Sequence, residues 1–401
     1  MPRKLDLRTG RPVWFAYRAP RVPAQPLARD ARCDALVVGM GISGALIADA
    51  LAEAGLSVIA IDRRGPLKGS TPATTALVQY ELDRPLSRLA GQVGTDRAVQ
   101  AWRRSRLGVA NLAARVRALG LDCRIAEHPS LYLAGDALDA DALADEAQAR
   151  RAAGLAARLL DRRALREEYG IGREAAILSP GNLTLDPRRL TAAALLRAAG
   201  NGARLHAPVE AVRIVHSASG VTVETRGGPA IRAAHAVLAT GYELMDAVPR
   251  VPHSIVSTWA IATRPRQPGW PDGALVWEAS DPYLYLRRTH DGRIVCGGED
   301  EDFSDEAARD ALIGEKSAVI ARKLRRLMPA VDPTPAYAWA GAFGTTPTGM
   351  PRIGPLPRRP RLFAVMGYGG NGITFSQIAS EIVRNLIGGH GDADAALFGF
   401  D

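Results

Sequence analysis

The first clear hydrophobic pattern in the chain predicts a strand, a helix and a second strand. Residues 35–38 form a short continuous apolar run. Residues 42–54 then repeat apolar positions with helical spacing up to Gly55, and residues 57–61 form another apolar run. This βαβ pattern is typical of an α/β fold with a Rossmann-like sheet.

The rest of the chain alternates between helical and strand periods. Helical periodicity covers residues 95–119, 139–168 and 305–328, and strand-like segments cover 124–134, 203–239 and 253–299. Within the last of these, Asp291-Gly292 predicts the tight turn of a β-hairpin, because this pair readily adopts positive φ angles. The many short strands predict an antiparallel sheet in a second, α+β unit.

Length and composition suggest two interleaved units. A chain of 401 residues exceeds what one hydrophobic core usually serves. Residues 1–33 are rich in proline and arginine and predict an extended arm anchored by Trp14 and Phe15. We expect a nucleotide-binding domain from 34–90, 170–245 and 341–401, and a substrate domain from 91–169 and 246–340.

The charge does not indicate a nucleic-acid partner, although the net charge is +9. Only four of the 51 basic residues are lysine, and the arginines are scattered among alanines and glycines. The three cysteines are isolated, so the sequence predicts no disulfides and fits a reducing compartment. The histidines do not have the spacing of metal ligands, so it predicts no metal site. With no apolar run long enough to span a bilayer, the sequence predicts a cytoplasmic protein.

A glycine motif at the first βαβ unit predicts dinucleotide binding. Gly39, Gly41 and Gly44 form G-x-G-x-x-G between strand and helix, where backbone N–H groups meet a pyrophosphate. Asp62 follows at the tip of the second strand, where a carboxylate accepts hydrogen bonds from ribose hydroxyls. The same context would suit an NAD-dependent dehydrogenase, but the chain does not continue into further βα units.

A second glycine-rich stretch, "MGYGGNGITFS", begins at Met366 and leads into a helical pattern near the end of the chain. Its N–H groups are suited to a second part of the same elongated cofactor. FAD has the required length, since it joins an adenylate, a pyrophosphate and a flavin ring.

Four stretches together resemble the D-amino-acid oxidase, glycine oxidase and sarcosine oxidase family of FAD-dependent oxidoreductases. They are the βαβ unit with Asp62, the "GST" loop after it, "VLATGYE", and "TTPTGMPRIGP" followed by the second glycine stretch. The resemblance implies a glutathione-reductase-type FAD domain interleaved with a substrate domain whose sheet covers the flavin. It also implies the cofactor-binding residues Gly39, Gly41, Ile42, Ser43, Gly44, Asp62, Arg63, Ser70, Thr71, Thr75, Val209, Thr240, Gly241, Ile353, Gly369, Gly370, Asn371, Gly372, Ile373 and Thr374.

The chain departs from this family where amino-acid substrates are held. Family members clamp the substrate carboxylate with arginine or lysine, a pairing that guanidinium geometry favours. Here the matching positions hold uncharged residues: Gln79, Phe343, Gly370 and Thr374. Arg287 or Arg288 is the remaining candidate, and only one of two adjacent strand residues can face the site.

Two further departures concern the flavin. Gly341 occupies the position of the cysteine that tethers flavin in the sarcosine oxidase branch, so we expect non-covalent FAD. Val295 matches the lysine that assists the reaction with oxygen, which leaves the electron acceptor open between oxygen and a partner.

The sequence therefore predicts oxidation of a C–N bond by hydride transfer to flavin N5, on a small-molecule amine or amino-acid-like substrate that is not a simple α-amino acid. Candidate substrate contacts are Tyr283, Tyr285, Arg287, Gln79 and Tyr80. One alternative is a hydroxy-acid or polyol dehydrogenase with His290 or Glu299 as base. Another is a flavoprotein subunit that passes electrons to a partner.

Overall fold

The computed structural model describes residues 6–400. Its strands, β1 to β18 in chain order, are Arg8–Gly10, Ala31–Val38, Val58–Ile61, Leu77–Val78, Ala126–Leu133, Arg158–Asp161, Ala175–Thr184, Arg204–His206, Ala211–Ser217, Gly220–Thr225, Ala230–Leu238, Ser254–Thr263, Leu275–Glu278, Leu284–Arg288, Ile294–Glu301, Pro335–Thr345, Arg352–Leu356 and Arg359–Met366. Its α-helices, α1 to α10, are Ile42–Glu53, Leu86–Val93, Thr95–Ala118, Ala140–Ala152, Arg162–Tyr169, Pro187–Gly200, Glu306–Ala311, Ile313–Leu327, Gly372–Ile387 and Ala395–Phe398.

An eight-stranded sheet contains the predicted βαβ unit. Its order is β17-β18-β11-β2-β3-β8, with β10 and β9 attached at β11. Strands β18, β11, β2, β3 and β8 run parallel, and β17 pairs with β18 in the antiparallel sense. Both faces of the central strands are covered, which explains why β2 and β3 appear in the sequence as continuous apolar runs.

A ten-stranded sheet contains the predicted hairpin. Its order is β1-β16-β12-β15-β14-β13-β5-β7-β4, with β6 paired to β7. One face packs on α8, where Ile320, Leu324 and Leu327 join a core with Trp259 and Ile261. Side chains of the opposite face therefore remain available to line a cavity.

Two predicted helices are each divided. The helical prediction for 139–168 is wrong at β6, because Gly154 ends α4 with a positive φ and Asp161 caps α5 through the N–H of Ala164 at 2.8 Å. The prediction for 305–328 covers two helices, α7 and α8, that meet at Leu312. The break between α4 and α5 is set by local capping residues, which the helical periodicity of the sequence does not reveal.

The N-terminal arm is anchored by one of the two predicted aromatic residues. Trp14 is 2% exposed and donates from Nε1 to the carbonyl of Thr74 at 2.6 Å. The prediction for Phe15 is wrong, because its ring is 43% exposed and lies under the guanidinium of Arg188 at 4.6 Å. Part of the arm is also ordered as β1, which pairs with β16.

The proposed division into two domains rests on sequence, and sheet membership offers a refinement of it. Strands β4 and β7 lie in the ten-stranded sheet although their segments were assigned to the nucleotide-binding domain. We propose that they belong with the substrate domain.

The helices that follow the two glycine loops pack against each other. The Ser43 Oγ on α1 lies 2.8 Å from the Ser376 Oγ on α9. Within the first loop, a Cβ at Gly44 would overlap the carbonyl oxygen of Gly39. Gly44 therefore lets α1 approach the end of β2, as the motif predicted.

Replacing Gly44 by alanine is expected to destabilise the protein by about 1–3 kcal/mol, because the added methyl group forces the helix away from the strand. The measurement is the free energy of unfolding from denaturant titration. Gly91→Ala on α2 is the control: nothing lies within 4 Å of its Cβ position, so this variant should gain about 0.5–1 kcal/mol. Equal behaviour of the two variants would contradict the close approach.

Candidate active site

The first glycine loop borders a cavity of about 110 Å³ at the carboxyl ends of β2 and β3. Helix α1 begins at Ile42, whose N–H donates to Thr71 Oγ1 at 3.0 Å. The helix N-terminus carries a partial positive charge of about half an elementary charge, which attracts phosphate. The location agrees with the general rule that α/β sheets bind ligands at the carboxyl ends of their strands.

Asp62 organises this loop. Its carboxylate accepts the N–H groups of Met40 at 2.9 Å, Arg64 at 2.7 Å and Gly65 at 2.8 Å. The same residue lines the cavity, so it faces both the loop and the space beside it.

Two arginines beside Asp62 share one carboxylate. Arg63 and Arg64 both pair with Glu243, with Arg64 Nη1 at 2.5 Å from Glu243 Oε2. Arg63 also lies 3.6 Å from Glu210. Sequence analysis did not select Glu243, although it directly follows the Thr240–Tyr242 stretch of the recognised "VLATGYE" motif. It restrains the two side chains that form one wall of the small cavity.

The second glycine loop borders a larger cavity of about 670 Å³. A short 3-10 turn, Gly369–Asn371, precedes α9. Asn371 donates from Nδ2 to the carbonyl of Glu81 at 2.8 Å, which holds this loop against the segment after β4. Both glycine loops are thus followed by a helix that starts at the edge of a cavity.

The two cavities share part of their walls. Five residues line both of them: Ile42, Ser43, Ser70, Thr71 and Gly241. Together the cavities offer one elongated space that extends from Asp62 to the second glycine loop. An extended dinucleotide fits such a space, because phosphate-binding N–H groups lie along it and a roomy compartment lies at one end.

Most of the predicted cofactor residues line this space. The small cavity has Gly39, Gly41, Ile42, Ser43, Asp62, Arg63, Ser70, Thr71, Val209, Thr240 and Gly241. The large cavity adds Thr75, Gly369, Gly370, Asn371, Gly372 and Ile373.

Three predicted cofactor residues lie behind the wall instead. Gly44 packs on Gly39, and Ile353 is fully buried in the hydrophobic core. Thr374 is 1% exposed and donates to the carbonyl of Gln79 at 2.7 Å. These residues support the site without bordering it.

A row of residues crosses the ten-stranded sheet beneath the large cavity. In strand order, β5 to β16, the row consists of Tyr132, Trp277, Tyr285, Gly297, Ala260 and Trp339, and all of these except Gly297 line the cavity. Tyr132 and Trp277 stack with ring centroids 3.8 Å apart. A Cβ at Gly297 would come within 2.6 Å of the Tyr285 ring, so this glycine lets the ring lie over the neighbouring strand.

Three of the five predicted substrate contacts line the large cavity. They are Gln79, Tyr283 and Tyr285, and the two tyrosine rings lie 5.4 Å apart. Gln79 is 8% exposed, and its Nε2 is buried without a hydrogen-bond partner among residues 6–400.

The other two predicted substrate contacts, Tyr80 and Arg287, line neither cavity. The side chain of Tyr80 points away from that of Gln79, and its ring packs edge-on against Trp102. Arg287 is 4% exposed and donates from Nη1 to the carbonyls of Ala76 at 2.7 Å and Leu185 at 3.0 Å. Burial lowers its pKa to about 10.

Sequence analysis missed two carboxylates in the large cavity, Asp83 and Asp300. Asp83 Oδ2 accepts the N–H of Gly370 at 2.8 Å. Asp300 lies at the end of β15, where burial raises its pKa to about 6; the charges of Asp83 and Glu299 add to this shift, and the adjacent hydroxyls of Thr258 and Tyr283 oppose it.

Acidic residues outnumber basic residues in the lining of the large cavity. The six acidic residues are Glu81, Asp83, Glu278, Asp281, Asp300 and Asp302; Glu278 pairs with Arg173, and Glu81 lies 4.0 Å from Arg150. Its basic residues, within the described part of the chain, are Arg84 and Arg88, and Arg88 donates to the carbonyl of Ala137. The acidic majority is the opposite of what a carboxylate-binding site requires.

The bases considered for a hydroxy-acid or polyol dehydrogenase lie outside both cavities. His290 packs edge-on against Tyr17 at 4.8 Å, and Glu299 pairs with Lys323. Val295 is buried in the core, whereas Gly341 lines the cavity.

Comparisons with known proteins agree with this geometry. The model of a family described as DAO, FAD dependent oxidoreductase, matches residues 34–386. A bifunctional protein of Cupriavidus necator that makes 5-methylaminomethyl-2-thiouridine in tRNA, MnmC, is 26% identical over 96% of this chain, which spans 61% of that protein. The gamma-glutamylputrescine oxidoreductase of Escherichia coli is 23% identical over 93% of this chain and 87% of its own length.

Solved structures share the fold. Glycine oxidase from Geobacillus kaustophilus superposes with a TM-score of 0.77 at 23% identity, covering 92% of this chain and 99% of that one. NikD, an amino acid oxidase of nikkomycin biosynthesis, gives a TM-score of 0.76 at 19% identity, with 92% and 97% covered. Within residues 6–400, no helix combines the length and apolar character needed to cross a membrane.

Replacing Asp62 by asparagine is expected to weaken FAD binding about tenfold, because the amide leaves one of the loop N–H groups without an acceptor, at a cost of about 1–3 kcal/mol. The measurement is the dissociation constant of FAD for the apoprotein, followed by flavin fluorescence. Asp34→Asn is the matched control, since Asp34 lies within β2 away from the glycine loop and accepts from the N–H of Ser57, which precedes β3. Unchanged affinity in Asp62→Asn would contradict the role of Asp62.

Proposed function

Because the chain belongs to the DAO family of FAD-dependent oxidoreductases, which its match over residues 34–386 establishes, we propose that it oxidises a C–N bond of an amine that has no α-carboxylate. The protein is thus an FAD-dependent enzyme, and the proposal concerns its substrate. One observation carries it: the charge of the cavity that would receive that substrate.

The positions where a carboxylate clamp was sought are uncharged. Gln79, Phe343 and Gly370 line the large cavity, and Thr374 lies behind its wall. Asp83 instead approaches the second glycine loop through its contact with Gly370. A substrate carboxylate in this compartment would meet negative charge, which disfavours its binding.

The proposed chemistry needs little acid–base assistance from the protein. When bound, FAD would supply the hydride acceptor. Loss of hydride from the carbon next to nitrogen would leave a C=N bond, and water would hydrolyse this imine to a carbonyl compound and ammonia or an amine. We assign to Tyr283 and Tyr285 the orientation of the substrate, and to the aromatic floor the exclusion of water around the reacting carbon.

The relatives support an amine substrate by their names alone. Both the methylaminomethyl group in the name of the Cupriavidus protein and the putrescine in that of the Escherichia coli enzyme contain amine nitrogen. This chain spans less than two thirds of the first of these relatives, so that protein's full activity is not transferred.

We further propose that FAD is bound without a covalent link, because no cysteine or histidine among residues 6–400 lines either cavity. The electron acceptor stays open between oxygen and a partner protein, since Val295 occupies the position of the lysine that assists the reaction with oxygen. The cytoplasmic location stays a prediction, and so does the absence of a nucleic-acid partner.

The direct test is anaerobic reduction of the bound flavin by matched pairs of compounds. The pairs are methylamine and glycine, dimethylamine and sarcosine, and ethylamine and D-alanine, and the first member of each pair lacks only the carboxylate. We expect the first member to reduce the flavin at a lower concentration than the second. The measurement is loss of flavin absorbance as a function of concentration. Faster reduction by the three amino acids would refute the proposal, and so would reduction by hydroxy acids alone.

A further inference from the structure

Two carboxylates from different parts of the fold line the large cavity. Asp83 comes from the loop after β4 and Asp300 from the end of β15. The charge of Asp83 raises the pKa of Asp300, so each lies within the electrostatic reach of the other. Among residues 6–400, no arginine or lysine forms an ion pair with either one.

This pair is poorly suited to hold the nitrogen that reacts. Hydride can leave the neighbouring carbon only when that nitrogen has lost its proton and its lone pair is available. Nearby carboxylates stabilise the protonated, cationic form. Two carboxylates around the reacting nitrogen would therefore keep the substrate in its unreactive state.

We infer that the substrate carries a second nitrogen cation, separate from the reacting amine, and that this cation binds between Asp83 and Asp300. The inference rests on the proposed function and narrows its substrate class to linear diamines and polyamines. A cation at this point relieves the repulsion between the two carboxylates and gives each an oppositely charged partner.

Asp300 itself gives a second sign of a ligand, because its Oδ1 is buried and has no hydrogen-bond partner among the described residues. Trp277 is 9% exposed and lines the floor of the same cavity. It lies on β13, two strand spacings or about 10 Å from β15. The intervening aromatic surface with Tyr285 suits an alkyl chain that extends across the sheet, and tryptophan also attracts cations to its ring face.

Anaerobic stopped-flow reduction of the holoenzyme tests the inference with α,ω-diamines of increasing length, each compared with the n-alkylamine of equal carbon number. The concentration dependence separates the dissociation constant from the limiting rate. We expect the best diamine to bind at least about tenfold more tightly than its monoamine, because it adds a charge-assisted hydrogen bond.

Asp300→Asn and Asp83→Asn should each bring the ratio of the monoamine to the diamine dissociation constant close to one, whatever either change does to amine binding in general. Glu301→Gln is the matched control, since Glu301 lies next to Asp300 but pairs with Lys316 outside the cavity. A structural role alone would weaken both classes of amine equally.

The outcomes separate the two proposals. Equal affinity for diamines and monoamines would overturn the second cation site and leave amine oxidation standing. If no amine reduces the flavin, the proposed function fails. Tighter binding of the diamine would then be measured as a perturbation of the flavin spectrum. If the diamine causes no such perturbation, the second cation site is overturned as well.

The diamine preference should also depend on pH. Burial raises the pKa of Asp300 to about 6, so Asp300 is negative above that pH and neutral below it; the groups that act on it are Asp83, Glu299, Tyr283 and Tyr285. Burial also raises the pKa of Asp83, and the charge of Arg84 opposes that shift. We expect the diamine dissociation constant to rise as pH falls from 8 to 5. Asp300→Asn should flatten this profile, and an unchanged profile in that variant would count against the inference.

Discussion

The close packing of helices α1 and α9 is the constraint on which the site depends. They come from opposite ends of the chain, and each starts at a glycine loop that borders a cavity. The hydrogen bond between Ser43 and Ser376 and the missing side chain of Gly44 keep the first helix close to both its strand and its partner helix. Since the helix N-termini and loop N–H groups face one continuous space, a single extended cofactor can contact both.

The same arrangement sets the sign of the charge around the substrate. The second glycine loop donates a backbone N–H to Asp83, so a carboxylate lies beside the loop where a cation was sought. Asp300 adds a second negative charge from the sheet, and the aromatic row from Tyr132 to Tyr285 supplies an apolar floor. The fold is thus shared with amino acid oxidases, while these acidic residues are the basis of the proposal that the ligand is a cation.

Sequence could predict the features that depend on neighbouring residues. The glycine motif and Asp62 are short patterns with one dominant backbone solution, and they appear in the structure as expected. The predicted hairpin also forms, but of the Asp291-Gly292 pair only Gly292 has a positive φ. Asp83 and Asp300 were not predicted as site residues, because their position in one cavity depends on how a loop of one segment packs against a sheet formed by another. The position of Arg287, outside both cavities, could not be predicted for a related reason. Its face of the strand is the one that carries Tyr285, but the N-terminal arm with Trp14 covers that end of the strand, with the ring 5.3 Å from the guanidinium.

The most direct test of this account is a crystal structure of the holoenzyme. The account predicts one FAD per chain, with its ribose at Asp62, its pyrophosphate at the N-terminus of α1 and its flavin ring in the large cavity beside Gly369–Ile373. A flavin that contacts only the first glycine loop, with the second loop turned away from it, would contradict the claim that both ends of the chain bind the same cofactor.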